Sequence, residues 1–175
     1  MKNISWTITF TLLFFSTSLI FGQNKKVKLE TFEFEIPEGM KNYPSSDVLA
    51  KLVLGRDLFI TIDDNMDKML GLSKKNPNGV SKEIFKFAFD TKFGKIKEQY
   101  KGYDATKKRT GKLKNLNYTA QNFTCKATKT EEAFLEYRVM EIGGKYYEFI
   151  VTGKRHLAKK HQSVIMSFWN GIQKN

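Results

Sequence analysis

Two strand-like segments near the end of the chain, residues 134–142 and 146–152, are separated by little more than a Gly143-Gly144 pair. A glycine pair between such segments is a strong hairpin signal, because both central residues of a tight hairpin turn have positive φ. Side chains of the second segment alternate between two faces, with Tyr147, Phe149 and Val151 on one and Tyr146, Glu148 and Ile150 on the other. The sequence therefore predicts an antiparallel sheet.

Alternating or mainly apolar segments upstream predict further strands. These segments are residues 32–36, 48–54, 58–62 and 118–127. Pro37-Glu38-Gly39 ends the first of them, and Gly55-Arg56-Asp57 separates the next two. Asn76-Pro77-Asn78-Gly79 is predicted to be another turn. The sheet is thus expected to receive strands from both halves of the chain.

Residues 82–100 change to a helical period, with apolar residues at steps of mostly three and four. The apolar positions are Ile84, Phe85, Ala88, Phe89, Phe93, Ile96 and Tyr100. The other positions include Lys82, Lys86, Lys92, Lys95 and Lys97. With Ser81 as a suitable N-cap, this pattern predicts an amphipathic helix of about 20 residues that packs on the sheet through its phenylalanines.

Two shorter helices complete the predicted order of elements. One covers residues 66–72, and a closing helix carries Val164, Ile165, Phe168, Trp169 and Ile172. Strands, a long helix, antiparallel strands and a final helix define the α+β class. We therefore predict an antiparallel β-sheet packed by a long amphipathic helix and a C-terminal helix. A curved sheet around one long helix, cystatin-like or nuclear-transport-factor-like, is the alternative.

Residues 1–22 predict a cleavable signal peptide. Lys2 supplies the positive end, residues 4–21 are uncharged, and small Gly22 precedes the polar Gln23. A retained membrane anchor is the alternative, but this segment is near the lower length limit for a span and contains seven serines and threonines. We expect an exported protein, periplasmic or secreted, with residues 23–175 as a single domain and no transmembrane segment after cleavage.

The chain is strongly basic, with a formal net charge of +12, and only Lys2 of its basic residues lies in the predicted signal peptide. Such a charge favours an acidic protein partner or an anionic surface, while export argues against nucleic acid. The predicted contact residues lie in a basic loop and a later basic stretch: Lys107, Lys108, Arg109, Lys112, Lys114, Lys154, Arg155, Lys159 and Lys160. A solvated charged surface is the alternative.

Other motifs give no cofactor or metal site. Asp63, Asn65 and Asp67 have calcium-loop spacing, but Lys74 stands where the loop needs a bidentate glutamate, so a turn with helix-capping carboxylates is predicted. His156 and His161 are five residues apart in a basic segment and are interpreted as surface histidines. The single cysteine, Cys125, is predicted to be a buried strand residue without a disulfide.

Two short motifs at opposite ends resemble the PsbP/DcrB-like group. Phe32-Glu33-Phe34-Glu35-Ile36-Pro37-Glu38-Gly39-Met40 is similar to the group's strand and Pro-x-Gly-aromatic turn, with Met40 at the aromatic position. Ser163-Val164-Ile165-Met166-Ser167-Phe168-Trp169 is similar to its closing helix with a Ser-Phe pair. The resemblance implies an antiparallel sheet flanked by helices, in accessory or binding proteins without catalytic residues to carry over.

The sequence therefore favours an exported, non-enzymatic binding or accessory protein of the cell envelope. It is expected to dock an acidic protein partner through its basic surface, an inhibitor-like role included. A protein that binds a membrane surface or an anionic glycan is one alternative, and an enzyme of unrecognised type is another.

Overall fold

The computed structural model of the chain describes residues 25–74 and 80–175. The predicted signal peptide (residues 1–22) and the predicted turn at residues 76–79 lie outside the described residues. Within them, the strands are β1 (Lys26–Lys28), β2 (Phe32–Glu35), β3 (Lys41–Asn42), β4 (Ala50–Leu54), β5 (Leu58–Asp63), β6 (Arg109–Leu113), β7 (Leu116–Lys126), β8 (Glu132–Ile142), β9 (Lys145–Lys154) and β10 (Gln173–Lys174). The helices are α1 (Asn65–Lys74), α2 (Lys82–Gln99) and α3 (Ala158–Gly171).

The main layer is a seven-stranded antiparallel sheet in the order β3-β4-β5-β9-β8-β7-β6. The predicted hairpin is confirmed: Gly143 and Gly144 have φ of 61° and 79°, and Ile142 pairs with Lys145. A smaller sheet, β1-β2-β10, joins the start of the described chain to its end. The predicted α+β class with a long helix and a C-terminal helix is therefore confirmed.

The two faces of the main sheet carry separate cores, as the alternation in β9 predicts. The first core lies under α3 and β2 and includes Phe32, Phe34, Phe149, Phe168 and Trp169. The second core lies under α1 and α2 and includes Met66, Leu70, Phe89, Phe93, Leu135 and Tyr137. Burial on both faces explains why β8 and β9 are apolar on both sides. Both motifs that resemble the PsbP/DcrB-like group contribute residues to the first core, Met40 from one and Phe168 from the other.

The long helix begins at its predicted cap, since the Ser81 hydroxyl accepts a hydrogen bond from the Ile84 amide. Its buried stripe is narrower than predicted. Ala88, Phe89 and Phe93 are buried, whereas Ile84 is 41% exposed, because it lies about 140° around the helix from Phe89. Phe87 lies still further from the sheet and is 74% exposed. In the described part of the chain, no helix is long and apolar enough to cross a membrane.

The prediction of a basic loop at residues 107–114 is wrong for most of that segment, because residues 109–113 form strand β6. Lys114 and Asn115 have φ of 45° and 69° and connect Leu113 to its partner Leu116. Pairing with the longer β7 makes this lysine-rich segment a strand, although its own β propensity is low.

Candidate functional site

Four of the nine predicted contact residues are held in ion pairs. Lys108 contacts Asp90 at 2.5 Å, Arg109 contacts Glu136 at 2.8 Å, and Arg155 contacts Glu132 at 2.7 Å. Lys154 lies 3.2 Å from both Asp57 and Glu131. Lys114 donates a hydrogen bond to the Asn170 carbonyl at the end of α3. The side chains of Lys107, Lys112, Lys159 and Lys160 are exposed.

The two basic stretches approach one another on β8 without forming an uninterrupted positive surface. Arg109 and Arg155 pair with Glu136 and Glu132, which are four residues apart on that strand, or about 13 Å. The stretch along β6 is also divided between the two faces of the sheet. Lys108 reaches α2, whereas Lys114 reaches α3.

The structure brings two of the predicted residues, Lys108 and Lys112, together around an open groove. The groove lies between the first half of α2 and the sheet at β6 and has a volume of about 740 Å³. Two further lysines from α2 complete its rim, which consists of Lys82, Lys86, Lys108 and Lys112. Buried or half-buried apolar residues line its interior: Phe85, Phe89, Val139 and Tyr146. We call this feature the lysine-rimmed groove.

The interior of the lysine-rimmed groove is a continuous set of aromatic rings. The Phe85 ring lies 5.3 Å from that of Tyr146 and 6.4 Å from that of Phe89. The Lys108 ammonium lies 5.4 Å from the centre of the Phe89 ring, a cation–π distance. Among the described residues of the lining, Glu141 alone is acidic, and Asp90 pairs with Lys108 at the rim. The three other rim lysines therefore favour a ligand with both acidic and apolar groups.

Lys82 and Lys86, which the helical pattern predicts to face solvent, contribute to the groove, and the pattern does not predict this role. Their spacing contains the relevant signal. Lys82 and Lys86 precede Phe89 by seven and three residues, and residues at these spacings share one side of a helix. Their charged ends can therefore flank an apolar surface that their own stems help to cover.

A buried carboxylate anchors α1 to the sheet beneath the second core. Glu148 is 4% exposed and accepts hydrogen bonds from the Tyr137 hydroxyl at 2.6 Å and the Met66 amide at 3.1 Å. The Lys92 ammonium lies 3.6 Å away. Burial and the Glu148 carboxylate raise the pKa of Tyr137 far above its usual range, so its hydroxyl remains a donor. These contacts satisfy the carboxylate and give it a structural role.

A buried guanidinium occupies the opposite face. Arg138 lies 3.8 Å from the centre of the Trp169 ring and 4.5 Å from that of Tyr118, with Glu136 at 2.6 Å. Burial lowers the pKa of Arg138, while the Glu136 carboxylate partly offsets that effect. Two aromatic rings and a carboxylate therefore stabilise this charge inside the protein.

The prediction that both histidines lie at the surface is wrong for one of them. His156 is exposed, but His161 is 4% exposed and lies on the buried side of α3 with Phe168, seven residues later. That helical spacing would have predicted its burial. Its Nε2 atom has no hydrogen-bond partner among residues 25–74 and 80–175. Over the same residues, no group of three or more histidine, cysteine or acidic side chains is arranged to hold a metal ion.

The carboxylates of the predicted turn are used within the fold. Asp63 accepts a hydrogen bond from the Asp64 amide at 2.7 Å, and Asp67 accepts one from the Tyr146 amide at 2.8 Å. Cys125 is buried on β7, as predicted, and burial raises the pKa of its thiol. A raised thiol pKa disfavours the reactive thiolate.

Comparison with known proteins relates the chain to others through its fold. No family model matches the sequence, and no curated protein matches it. The solution structure of cyanobacterial PsbP (CyanoP) from Synechocystis sp. PCC 6803 has a TM-score of 0.54 at 12% identity, covering 89% of this chain and 95% of that one. LpqN, involved in cell envelope biogenesis of Mycobacterium tuberculosis, has a TM-score of 0.51 at 8% identity, covering 87% and 91%. The chain has a PsbP-like fold.

Proposed function

We propose that this protein is a non-enzymatic accessory protein of the cell envelope that binds an acidic partner protein in the lysine-rimmed groove. The observation that carries the proposal is the combination of four lysines with an aromatic interior at one place. Lysines alone would describe a solvated surface, and aromatic rings alone would describe a core. Together they favour a partner segment that presents carboxylates beside a large apolar side chain.

The proposed location rests on the sequence and agrees with the setting of one structural neighbour. The predicted signal peptide at residues 1–22 would direct the chain out of the cytoplasm. LpqN, which shares the fold, is described as involved in cell envelope biogenesis. The same setting, and membership of the PsbP/DcrB-like group, are proposed for this chain.

Binding to an anionic membrane surface is a second candidate, favoured by the outer face of α2. Phe87 is 74% exposed there and Ile84 is 41% exposed, and both lie close in sequence to lysines 82 and 86. Exposed apolar side chains beside lysines suit the headgroup region of a bilayer. This candidate uses the outside of α2, whereas the first uses the side that faces β6, so variants can separate them.

The test of the first candidate is charge reversal at the groove. The variant Lys82→Glu/Lys86→Glu/Lys112→Glu should bind a fluorescent acidic probe at least about tenfold more weakly than the native protein, because three attractive charges become repulsive. The probe is a peptide of about ten residues with threonine at every even position. Its odd positions alternate glutamate with valine, with tryptophan in place of the central valine, so acidic and apolar side chains share one face of the extended peptide. Fluorescence anisotropy at low salt measures the dissociation constant.

A matched control changes the net charge equally at exposed lysines outside the groove and the predicted contact residues, Lys41, Lys51 and Lys174. Lys41→Glu/Lys51→Glu/Lys174→Glu should change the affinity of the same peptide by less than about threefold. Equal losses in both variants would mean that net charge, and not the groove, causes binding. For the membrane candidate, Ile84→Ser/Phe87→Ser should reduce binding to anionic vesicles and leave peptide binding unchanged.

A further inference from the structure

Strand β6 is the outermost strand of the seven-stranded sheet and forms one side of the lysine-rimmed groove. The strand order ends at β6, and among the described residues it pairs with β7 alone. The side chains of Arg109, Thr110 and Lys112 are exposed. An edge strand presents a row of unpaired backbone groups, which is a template for another extended segment.

The hairpin geometry identifies which backbone groups of β6 point outward. Lys114 and Asn115 form a two-residue turn, so the flanking pair Leu113–Leu116 exchanges backbone hydrogen bonds. Inward- and outward-pointing residues alternate along an antiparallel strand, so Gly111 also bonds to β7. The amide and carbonyl groups of Thr110 and Lys112 therefore point away from β7, outward from the edge of the sheet.

We propose that the acidic partner binds as an extended peptide that adds a strand to the outer edge of β6. This inference rests on the proposed function and specifies how the partner binds. An added strand would receive hydrogen bonds from Thr110 and Lys112, and alternate side chains would point toward the same face. On the α2 side these side chains would meet the aromatic interior, where Phe89 is buried and Phe85 is half-buried.

The charges at this edge select an acidic strand over a second copy of the chain. Lysine on an edge strand is a common means of preventing edge-to-edge association. Two copies paired through β6 would bring Arg109, Lys112 and their symmetry equivalents together, which like-charge repulsion opposes. A strand carrying glutamate or aspartate on its α2-facing side would instead place opposite charges beside Lys112, Lys82 and Lys86.

The first test removes one outward backbone donor. Proline is tolerated on an edge strand where its missing amide faces solvent, so Thr110→Pro should leave the β6–β7 pairing intact. It should weaken binding of the acidic probe peptide roughly tenfold, as expected for losing a hydrogen bond and crowding the added strand. The control Thr110→Val keeps the amide and should bind the peptide as the native protein does.

The second test uses the native protein and modified peptides, so it does not depend on the folding of a variant. Methylating the backbone nitrogens of every odd residue blocks one edge of the peptide strand, and methylating every even residue blocks the other. One methylated peptide should lose roughly tenfold or more in affinity and the other should retain it. Equal affinity of both peptides would overturn the strand-addition proposal.

The outcomes separate this inference from the proposed function. Binding that is unaffected by Thr110→Pro and by either methylation, yet weakened by the triple groove variant, would overturn strand addition and leave the proposed function standing. Binding that is unaffected by the triple variant would overturn both. Displacement of the peptide by anionic vesicles, but not by uncharged ones, would assign the groove to a lipid surface and overturn the strand.

Discussion

The face of the sheet toward α3 and the face toward α2 differ in how completely they are covered. On the first, the centre of the Phe149 ring lies 6.1 Å from that of Phe168 and 5.4 Å from that of Trp169. Phe32 and Phe34 of the smaller sheet contact the same rings. On the second, α2 covers the middle of the sheet but leaves a groove of about 740 Å³ beside β6. Covering a face completely serves stability, whereas an open apolar surface edged with charge provides a place to bind.

Among the described residues, each face also buries one charged side chain, and the two serve different purposes. Arg138 lies between the rings of Tyr118 and Trp169, where it fills space in a closed core. Glu148 receives the Met66 amide at the start of α1, so it fixes a helix to the sheet. The closed face uses its charge for packing, and the partly open face uses its charge to position an element.

The largest expected effect comes from truncating a ring on each face. Phe149→Ala and Phe89→Ala should each lower the free energy of unfolding by about 3–5 kcal/mol, because both rings are fully buried. Of these two residues, Phe89 lines the groove and Phe149 does not, so Phe89→Ala alone should also weaken peptide binding by the folded protein. Chemical denaturation and anisotropy titration measure the two quantities separately.

A different pattern of results would break the comparison between the faces. If Phe149→Ala weakens peptide binding as much as Phe89→Ala at equal folded fraction, the closed face contributes to the site. If Phe89→Ala weakens binding but leaves the melting temperature unchanged, the phenylalanines of α2 form an interaction surface and not a core. The half-buried Phe85 provides a milder companion variant, Phe85→Ala.

Local sequence patterns predicted most of the fold because the spacing of apolar residues depends on which side of a strand or helix is buried. The alternation around Phe149 and the glycine pair at residues 143–144 predicted β9 and its hairpin. Steps of three and four, together with Ser81, predicted α2 and its start. Such patterns are short-range, so one sequence suffices to recognise them.

Features that depend on pairing partners distant in the chain were not predictable in this way. The Arg109–Leu113 segment is a strand because β7 pairs with it, although Leu113 and Leu116 around Lys114-Asn115 were a usable hairpin signal. The groove combines residues from elements that are distant in the chain, including α2, β6, β7, β8 and β9. No local pattern predicts that these elements lie next to one another. The exposure of Ile84, in contrast, departs from the predicted stripe, because the sheet covers a narrower arc of α2 than the spacing alone indicates.

A smaller effect is expected from Glu148→Gln, which tests whether the charge of this buried side chain anchors α1. Glutamine keeps an acceptor but weakens the hydrogen bonds from Tyr137 and Met66, so the free energy of unfolding should fall by about 1–3 kcal/mol. Amide hydrogen exchange should accelerate most at the start of α1. Peptide binding should be retained, since Glu148 does not line the groove.

The partner variant Lys92→Met provides the control. The Lys92 ammonium is 3.6 Å from Glu148 but partly exposed, so its loss alone should cost less than about 1 kcal/mol. A double-mutant cycle then gives the coupling between the two side chains. If Glu148→Gln leaves both stability and exchange unchanged, the carboxylate does not anchor α1.

The smallest expected effect concerns Glu132, at the rim of the sheet and outside both cores. Hydrogen bonds from Tyr103 and Arg155 lower the pKa of Glu132. A carboxyl whose pKa is lower in the folded protein stabilises the fold above its unfolded pKa of about 4.3, and that contribution is lost as the pH falls through the folded value. The melting temperature of Glu132→Gln should therefore be slightly below that of the native protein at neutral pH, and the difference should vanish in acid.

Glu38→Gln, at an exposed turn, removes the same charge as a control. A difference that persists unchanged near pH 2 would show that Glu132 acts through packing and not through its charge.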